Sequence, residues 1–182
     1  MPSILKSYTR HKTFISYHHD DEAEVANFIN YFDHDKDVLI SRGIGASMDG
    51  DIIGSTNDTY IKQRIRDLYL RESTVTVILI GASTWGRKFV DWEIAASLRN
   101  TTTSNRNGLV AITLPSVADS YYKKLPARLN DNLNGNLGYA KCLQYPDSAS
   151  ALATIIDDAF NRRVTHAAVV DNTRPLRQVN EY

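Results

Sequence analysis

The stretch that most restricts how this chain can fold is Val75-Thr76-Val77-Ile78-Leu79-Ile80 together with the segment running on to Arg99. Five of those six residues are apolar and there is no alternation. A strand with no polar face is predicted to be covered on both sides, the setting of a parallel sheet. Gly81-Ala82-Ser83-Thr84 then breaks the run with small residues, and a helical pattern begins at about Lys88. On that helix Val90, Ile94 and Leu98 fall four apart and make one apolar stripe. Glu93 lies about 100° round the helix from Ile94, on the side of Phe89 and Ala96 and next to Trp92 in sequence. A carboxylate among apolar and aromatic groups, one to two turns into a helix that leaves a buried strand, is predicted to be catalytic.

The rest of the chain repeats the same alternation. Thr13 to Tyr17 is a short apolar strand that runs into His18-His19-Asp20-Asp21. Val25, Phe28, Ile29 and Phe32 then fit one helical face, with Asp20 or Asp21 placed to cap its first amides. Val38 to Ile40 begins a second strand, and residues 41–57 form a Gly-rich polar stretch. Asp58 to Arg71 is a helix with Ile61, Ile65 and Leu68 inward and Lys62, Arg64 and Arg66 outward. A polar loop, Thr101 to Asn107, precedes a buried-type strand at Leu109 to Leu114. Residues 115–138 read as a long surface loop around one helical turn. Lys141 to Tyr145 reads as a fifth strand, and Leu152, Ile155, Ile156, Ala159 and Phe160 mark a last helix starting near Ser148 or Ser150.

Strand and helix alternating over this length predict an α/β fold: a five-stranded parallel sheet, order 2-1-3-4-5, with helices on both faces. In such flavodoxin-like sheets the ligand crevice opens at the carboxyl ends of strands 1 and 3, where the winding reverses. Those ends are Ser16 to Asp20 and Gly81 to Trp85, and Glu93 rides on the helix leaving strand 3. The expected organisation is an arm over residues 1–11, one domain over 12–165 and a polar tail over 166–182.

Composition excludes several classes of function. The 21 basic and 21 acidic side chains balance, so nothing in the charge attracts nucleic acid or an anionic membrane. The first twelve residues lack the apolar core of a signal peptide, and no window has the roughly 18 apolar residues of a membrane span. The single cysteine, Cys142, excludes an intramolecular disulfide and reads as a buried thiol. A cytoplasmic protein is expected.

Phe14-Ile15-Ser16-Tyr17-His18-His19-Asp20-Asp21, Val77 to Ser83, and Trp85-Gly86-Arg87-Lys88-Phe89-Val90-Asp91-Trp92-Glu93-Ile94, taken in order and spacing, resemble a TIR-like domain. They resemble in particular the TIR-like subunit (ThsB) of bacterial Thoeris antiphage systems, and the resemblance runs from about residue 12 to 165. It implies a flavodoxin-like fold and cleavage of the nicotinamide–ribose bond of NAD, with Glu93 at the catalytic position. It also implies a cyclic or modified ADP-ribose as product, a nucleotide signal to a separate effector, assembly into homo-oligomers, and a phage-derived trigger. NAD enters as substrate, with no resident cofactor and no metal.

That chemistry suits the residues at the crevice. Nicotinamide leaves neutral and charge develops on the ribose as an oxocarbenium ion, which one nearby carboxylate can stabilise. Trp85 and Phe89 offer aromatic faces, and Ser16, Tyr17 and Ser83 suit hydroxyl and phosphate contacts. His18 is placed in a capping turn at the pocket, since adjacent histidines project in different directions, and Asp49 is placed at the crevice in the 41–57 loop. Gly43-Ile44-Gly45 is no dinucleotide fingerprint, because Met48 replaces the third glycine. Gly45 to Gly50 has phosphate-loop spacing but Asp51 where the lysine belongs. Two other readings of the same fold stand beside the enzyme: a non-catalytic TIR-type module acting by self-association, and a phosphoacceptor receiver domain, which lacks its aspartate at Gly81-Ala82-Ser83.

Overall fold

The computed structural model describes residues 8–43, 50–120 and 124–182. Its five strands are β1 (His11–Ser16), β2 (Leu39–Arg42), β3 (Val75–Ile80), β4 (Gly108–Thr113) and β5 (Lys141–Leu143). They form one all-parallel sheet in the order β2-β1-β3-β4-β5, the expected arrangement. Among the described residues five α-helices lie between the strands, α1 (Glu22–Ile29), α2 (Gly50–Ile53), α3 (Asp58–Ile65), α4 (Lys88–Leu98) and α5 (Ala127–Asp131), and a sixth, α6 (Ala149–Thr165), follows β5. No helix among the described residues is long and apolar enough to cross a membrane.

The unbroken apolar run of β3 is explained by what lies on its two faces. Val75, Val77 and Leu79 pack with Val25, Phe28, Leu152 and Ile156 of α1 and α6. Ile78 and Ile80 pack with Val90, Ile94 and Leu98 of α4. The lone polar residue, Thr76, meets Ser97 of α4 with its hydroxyl at 2.7 Å and accepts a hydrogen bond from the Asn107 side-chain amide at 3.1 Å. Asn107 also donates to the Ser73 hydroxyl, and its own carbonyl accepts from the Tyr139 hydroxyl at 2.6 Å. This network closes the amino ends of β3 and β4, because a buried amide or hydroxyl without a partner is costly.

Three local expectations change. Leu68 is exposed at 44%, while Leu70 is fully buried. After Ile65 the helix widens into a π-type turn over Arg66–Leu70, so the next inward position falls five residues on instead of three. The same turn carries Arg66 inward, where it donates to the Ser104 hydroxyl at 2.5 Å and the Ala96 carbonyl at 3.1 Å. At the start of α1, Asp21 makes no side-chain cap. The cap belongs to His18, whose Nδ1 accepts from the Asp20 amide at 3.3 Å.

Residues 171–182, within the expected polar tail, pack against the domain. Leu176 is buried beside Trp92 and Ile61, the Trp92 indole donates to the Arg177 carbonyl, and the Arg177 amide donates to Asp91. Asp91 is in turn held by the fully buried Arg128 of α5 through two bonds of 2.9 and 3.2 Å. Arg128 also reaches the Asn172 side chain and the Pro175 carbonyl, so one guanidinium ties α4, α5 and this segment together.

The shifted helical register has a measurable consequence. Leu70→Ala empties a filled site and is expected to cost roughly 2–5 kcal/mol. Leu68→Ala should stay within about 0.5 kcal/mol. Urea unfolding of the two variants checks this; equal losses would show that the inward face continues through Leu68.

Candidate active site

Side chains alternate along a strand. In β1, Ile15 therefore faces α1 and α6, while Phe14 packs towards α2, α3 and Trp92. Ser16, two residues on from Phe14, falls on the same side and lies beneath α4. Its hydroxyl donates to Oε2 of Glu93 at 2.6 Å. Ser16 is fully buried, and Glu93 keeps a partial opening into a cavity of about 560 Å³. That volume is in the range of pockets that enclose small organic ligands.

Burial disfavours the charged form of a carboxyl, and the Glu93 carboxyl is pushed up to about 7. The Ser16 hydrogen bond pulls the other way, because the ionised acid accepts more strongly. Glu93 is thus an acid that changes charge near neutral pH. Around it, Ile15, Val90 and Phe89 supply apolar wall, and Tyr17 and His18 supply the polar side from the end of β1. His18 is held below its ordinary imidazole range, first by burial and then by the positive charge of Arg87. At the edge, the chain leaves β2 through Gly43, whose φ of +79° favours glycine and whose missing side chain makes room for the Phe14 ring.

Glu93, Tyr17, His18 and Phe89 come together around the cavity, with Ser16 behind the carboxyl. Ser83 and Trp85 are outside the lining. The turn Thr84–Gly86 buries the Thr84 hydroxyl against the Gly81 amide at 2.9 Å, and this sets Trp85 under the Lys124 ammonium, 4.0 Å from the ring centre. Ser83 uses its carbonyl, which accepts from Nε of Arg87 at 3.1 Å. Asp49 is outside the described residues. Glu22, Arg87, Asn180 and Tyr182 line the cavity without having been expected there. Glu22 directly follows one quoted motif and Arg87 lies within another, and neither has a periodic mark of its own. Asn180 and Tyr182 arrive from a segment about ninety residues further along the chain, beyond the reach of any local pattern.

Residues 14–119 match the family model of the TIR-like domain of the Thoeris protein ThsB. The chain belongs to that ThsB family. No curated protein matches it. The ThsB match runs from within β1 to just beyond β4 and holds Ser16, Tyr17, His18, Arg87, Phe89 and Glu93, whereas Asn180 and Tyr182 lie outside it.

One cluster at the rim of this cavity has metal-binding residue types. His18, His19 and Asp20 bring one ligand atom each within 4.8 Å of one another. The two imidazoles do not project apart as expected; their ring centres are 4.1 Å from each other. His18 Nδ1 is already committed to the Asp20 amide, and Asp20 and His19 are exposed, so the turn is satisfied as a cap.

The Glu93 environment fixes a pH dependence. In the unfolded chain this acid ionises in the ordinary carboxyl range, so the folded state holds the extra proton between there and about 7. Its contribution to stability therefore falls as pH rises through that window. Glu93→Gln should gain stability over wild type by about 2 kcal/mol more at pH 8 than at pH 5, an upper figure given the opening to the cavity. Denaturant titrations at the two pH values test the sign. Ser16→Ala should move the Glu93 titration upward, followed by NMR of its side-chain carboxyl carbon.

Proposed function

We propose that this ThsB-family chain cleaves NAD at the nicotinamide–ribose bond and works in antiphage defence. The observation that carries this reading is the Glu93 carboxyl, bonded to the buried Ser16 hydroxyl and opening into a partly apolar cavity at the carboxyl end of β1. Such a placement suits a reaction whose transition state gathers positive charge on a sugar. Heterolysis sends the electron pair of the C1–N bond out with nicotinamide, which departs neutral, and leaves an oxocarbenium ion on the ribose. A fixed carboxylate in a site with little water stabilises that ion more than bulk solvent does.

Capture completes the reaction. A hydroxyl of the same ADP-ribose, or water, adds to C1 and must lose its proton. An acid poised near 7 can take that proton once the cation is gone, so Glu93 serves first as an electrostatic partner and then as a base. Ser16 orients the carboxyl, Phe89 and Tyr17 offer faces for the bases, and a cyclic or otherwise modified ADP-ribose would carry the signal to a separate effector. The ionised form is the active one, so the rate should climb as pH rises through about 7.

Purified protein incubated with NAD, with and without phage lysate, should release nicotinamide detectable by chromatography and mass spectrometry. Glu93→Gln should lower the rate by at least about 100-fold. Wild-type protein that is inert under both conditions, or a glutamine variant that is fully active, rules the reading out.

A further inference from the structure

The cavity wall holds a cation that the chemistry at Glu93 does not use. Arg87 stands in the turn just before α4 and lines the cavity. Its Nε is spent on the Ser83 carbonyl, and its guanidinium carbon lies 4.5 Å from the centre of the Tyr182 ring. Among the described residues Arg87 makes no ion pair, a state it shares with Arg66 and Arg99 among others, and of the described arginines it is the one that lines the cavity. One edge of the group is thus held and one face is touched by the Tyr182 ring, itself 91% exposed, and the terminal nitrogens keep their charge for something else. A planar, pre-oriented guanidinium of this kind is suited to paired hydrogen bonds with phosphate or carboxylate oxygens. Arg87 is the extended residue that begins α4 and Glu93 is the sixth residue of that helix, so the cation and the acid reach the cavity from one element.

The ring that backs Arg87 is delivered by residues 176–182, which run along the first two turns of α4. The Asn180 side-chain carbonyl accepts from the Lys88 amide at 2.9 Å, capping a helix whose own cap residue, Arg87, offers no side-chain bond. The Glu181 amide donates to the Gly86 carbonyl at 2.9 Å, and a Cβ on Gly86 would run into the Glu181 carbonyl. This strap is therefore seated at three consecutive residues, Gly86, Arg87 and Lys88.

We propose that Arg87 is the anion-binding residue of this cavity, taking the diphosphate of a dinucleotide, and that the strap 176–182 positions it through the Tyr182 ring. The word dinucleotide rests on the NAD reading above; the anion site itself does not.

ADP, which has the diphosphate but no nicotinamide bond, separates the two. Calorimetry with the full chain is expected to show ADP binding that survives Glu93→Gln. Arg87→Gln should weaken it by roughly 10–100-fold, the size of a charged hydrogen-bond pair. Arg87→Lys, which keeps the charge without the planar fork, should fall between. Tyr182 is a positioning residue, so Tyr182→Ala should weaken ADP binding by about 3–10-fold while Tyr182→Phe, which keeps the ring face, restores it. Gly86→Ala touches no cavity atom and needs no unusual backbone, and it should match Tyr182→Ala by lifting the strap.

In turnover, Arg87→Gln should raise KM for NAD with little change in kcat. Folded Arg87→Gln protein that binds ADP like wild type, or wild type that does not bind it, overturns the site. Tyr182→Phe as weak as Tyr182→Ala overturns the role of the strap. ADP binding that depends on Arg87 in a protein that never releases nicotinamide supports the anion site and removes the NAD reading instead.

Discussion

How α4 lies across the sheet decides almost everything about the cavity. The helix covers one face of β3 through Val90, Ile94 and Leu98, and these contacts fix both its rotation and its position along the strand. With the helix so fixed, the three residues where its first turn passes into its second each meet a different part of the protein. Asp91 turns to Arg128 and the Arg177 amide, Trp92 to the Arg177 carbonyl and the α3 side, and Glu93 to Ser16 at the end of β1. A rotation of one residue, about 100°, would exchange these partners and leave Asp91 without its guanidinium. Removing one member of a buried ion pair is expensive, typically a few kcal/mol, so the pair resists that rotation.

The two ends of the sheet treat polar groups differently. At the amino ends, Asn107, Ser73, Thr76, Ser97 and Arg66 bond mainly to one another and to backbone, and the network is closed. At the carboxyl end, Glu93 has the Ser16 hydroxyl on one side and a cavity on the other, while Arg87 is held by a carbonyl and an aromatic ring. Closed networks hold a fold in place; groups held from one side only are available to a ligand. The acid pushed up to about 7 and the Arg87 cation both line the cavity, so it presents a weak acid and a positive charge to whatever enters it.

Much of this was legible in the residues themselves. The apolar run of β3 and the four-residue spacing on α4 specified a covered strand and the helix that covers it. The alternation of elements specified the sheet order, because crossover handedness leaves few other solutions. Glu93 stood out for the same reason that it matters: a carboxylate on a helix whose other residues are mostly apolar. Periodicity went astray at Leu68 and Arg66, where a π-type turn changed the spacing that the pattern assumed. Ser83 and Trp85 were expected at the crevice because they follow strand 3, but their directions are set by the turn in which the Gly81 amide donates to the Thr84 hydroxyl.

The sequence alone determined the fold class, the strand order, the end of the sheet where a cavity opens and the candidate acid within it. Each of these follows from short-range pattern and the handedness of the chain. Only the tertiary structure decided that Ser16 touches Glu93, that residues 171–182 close against α4, and that Arg87 faces the cavity backed by Tyr182. Those contacts join segments 77 to 95 residues apart or depend on the rotation of a single helix, and both are set by the packing of the whole core rather than by any neighbour in the chain.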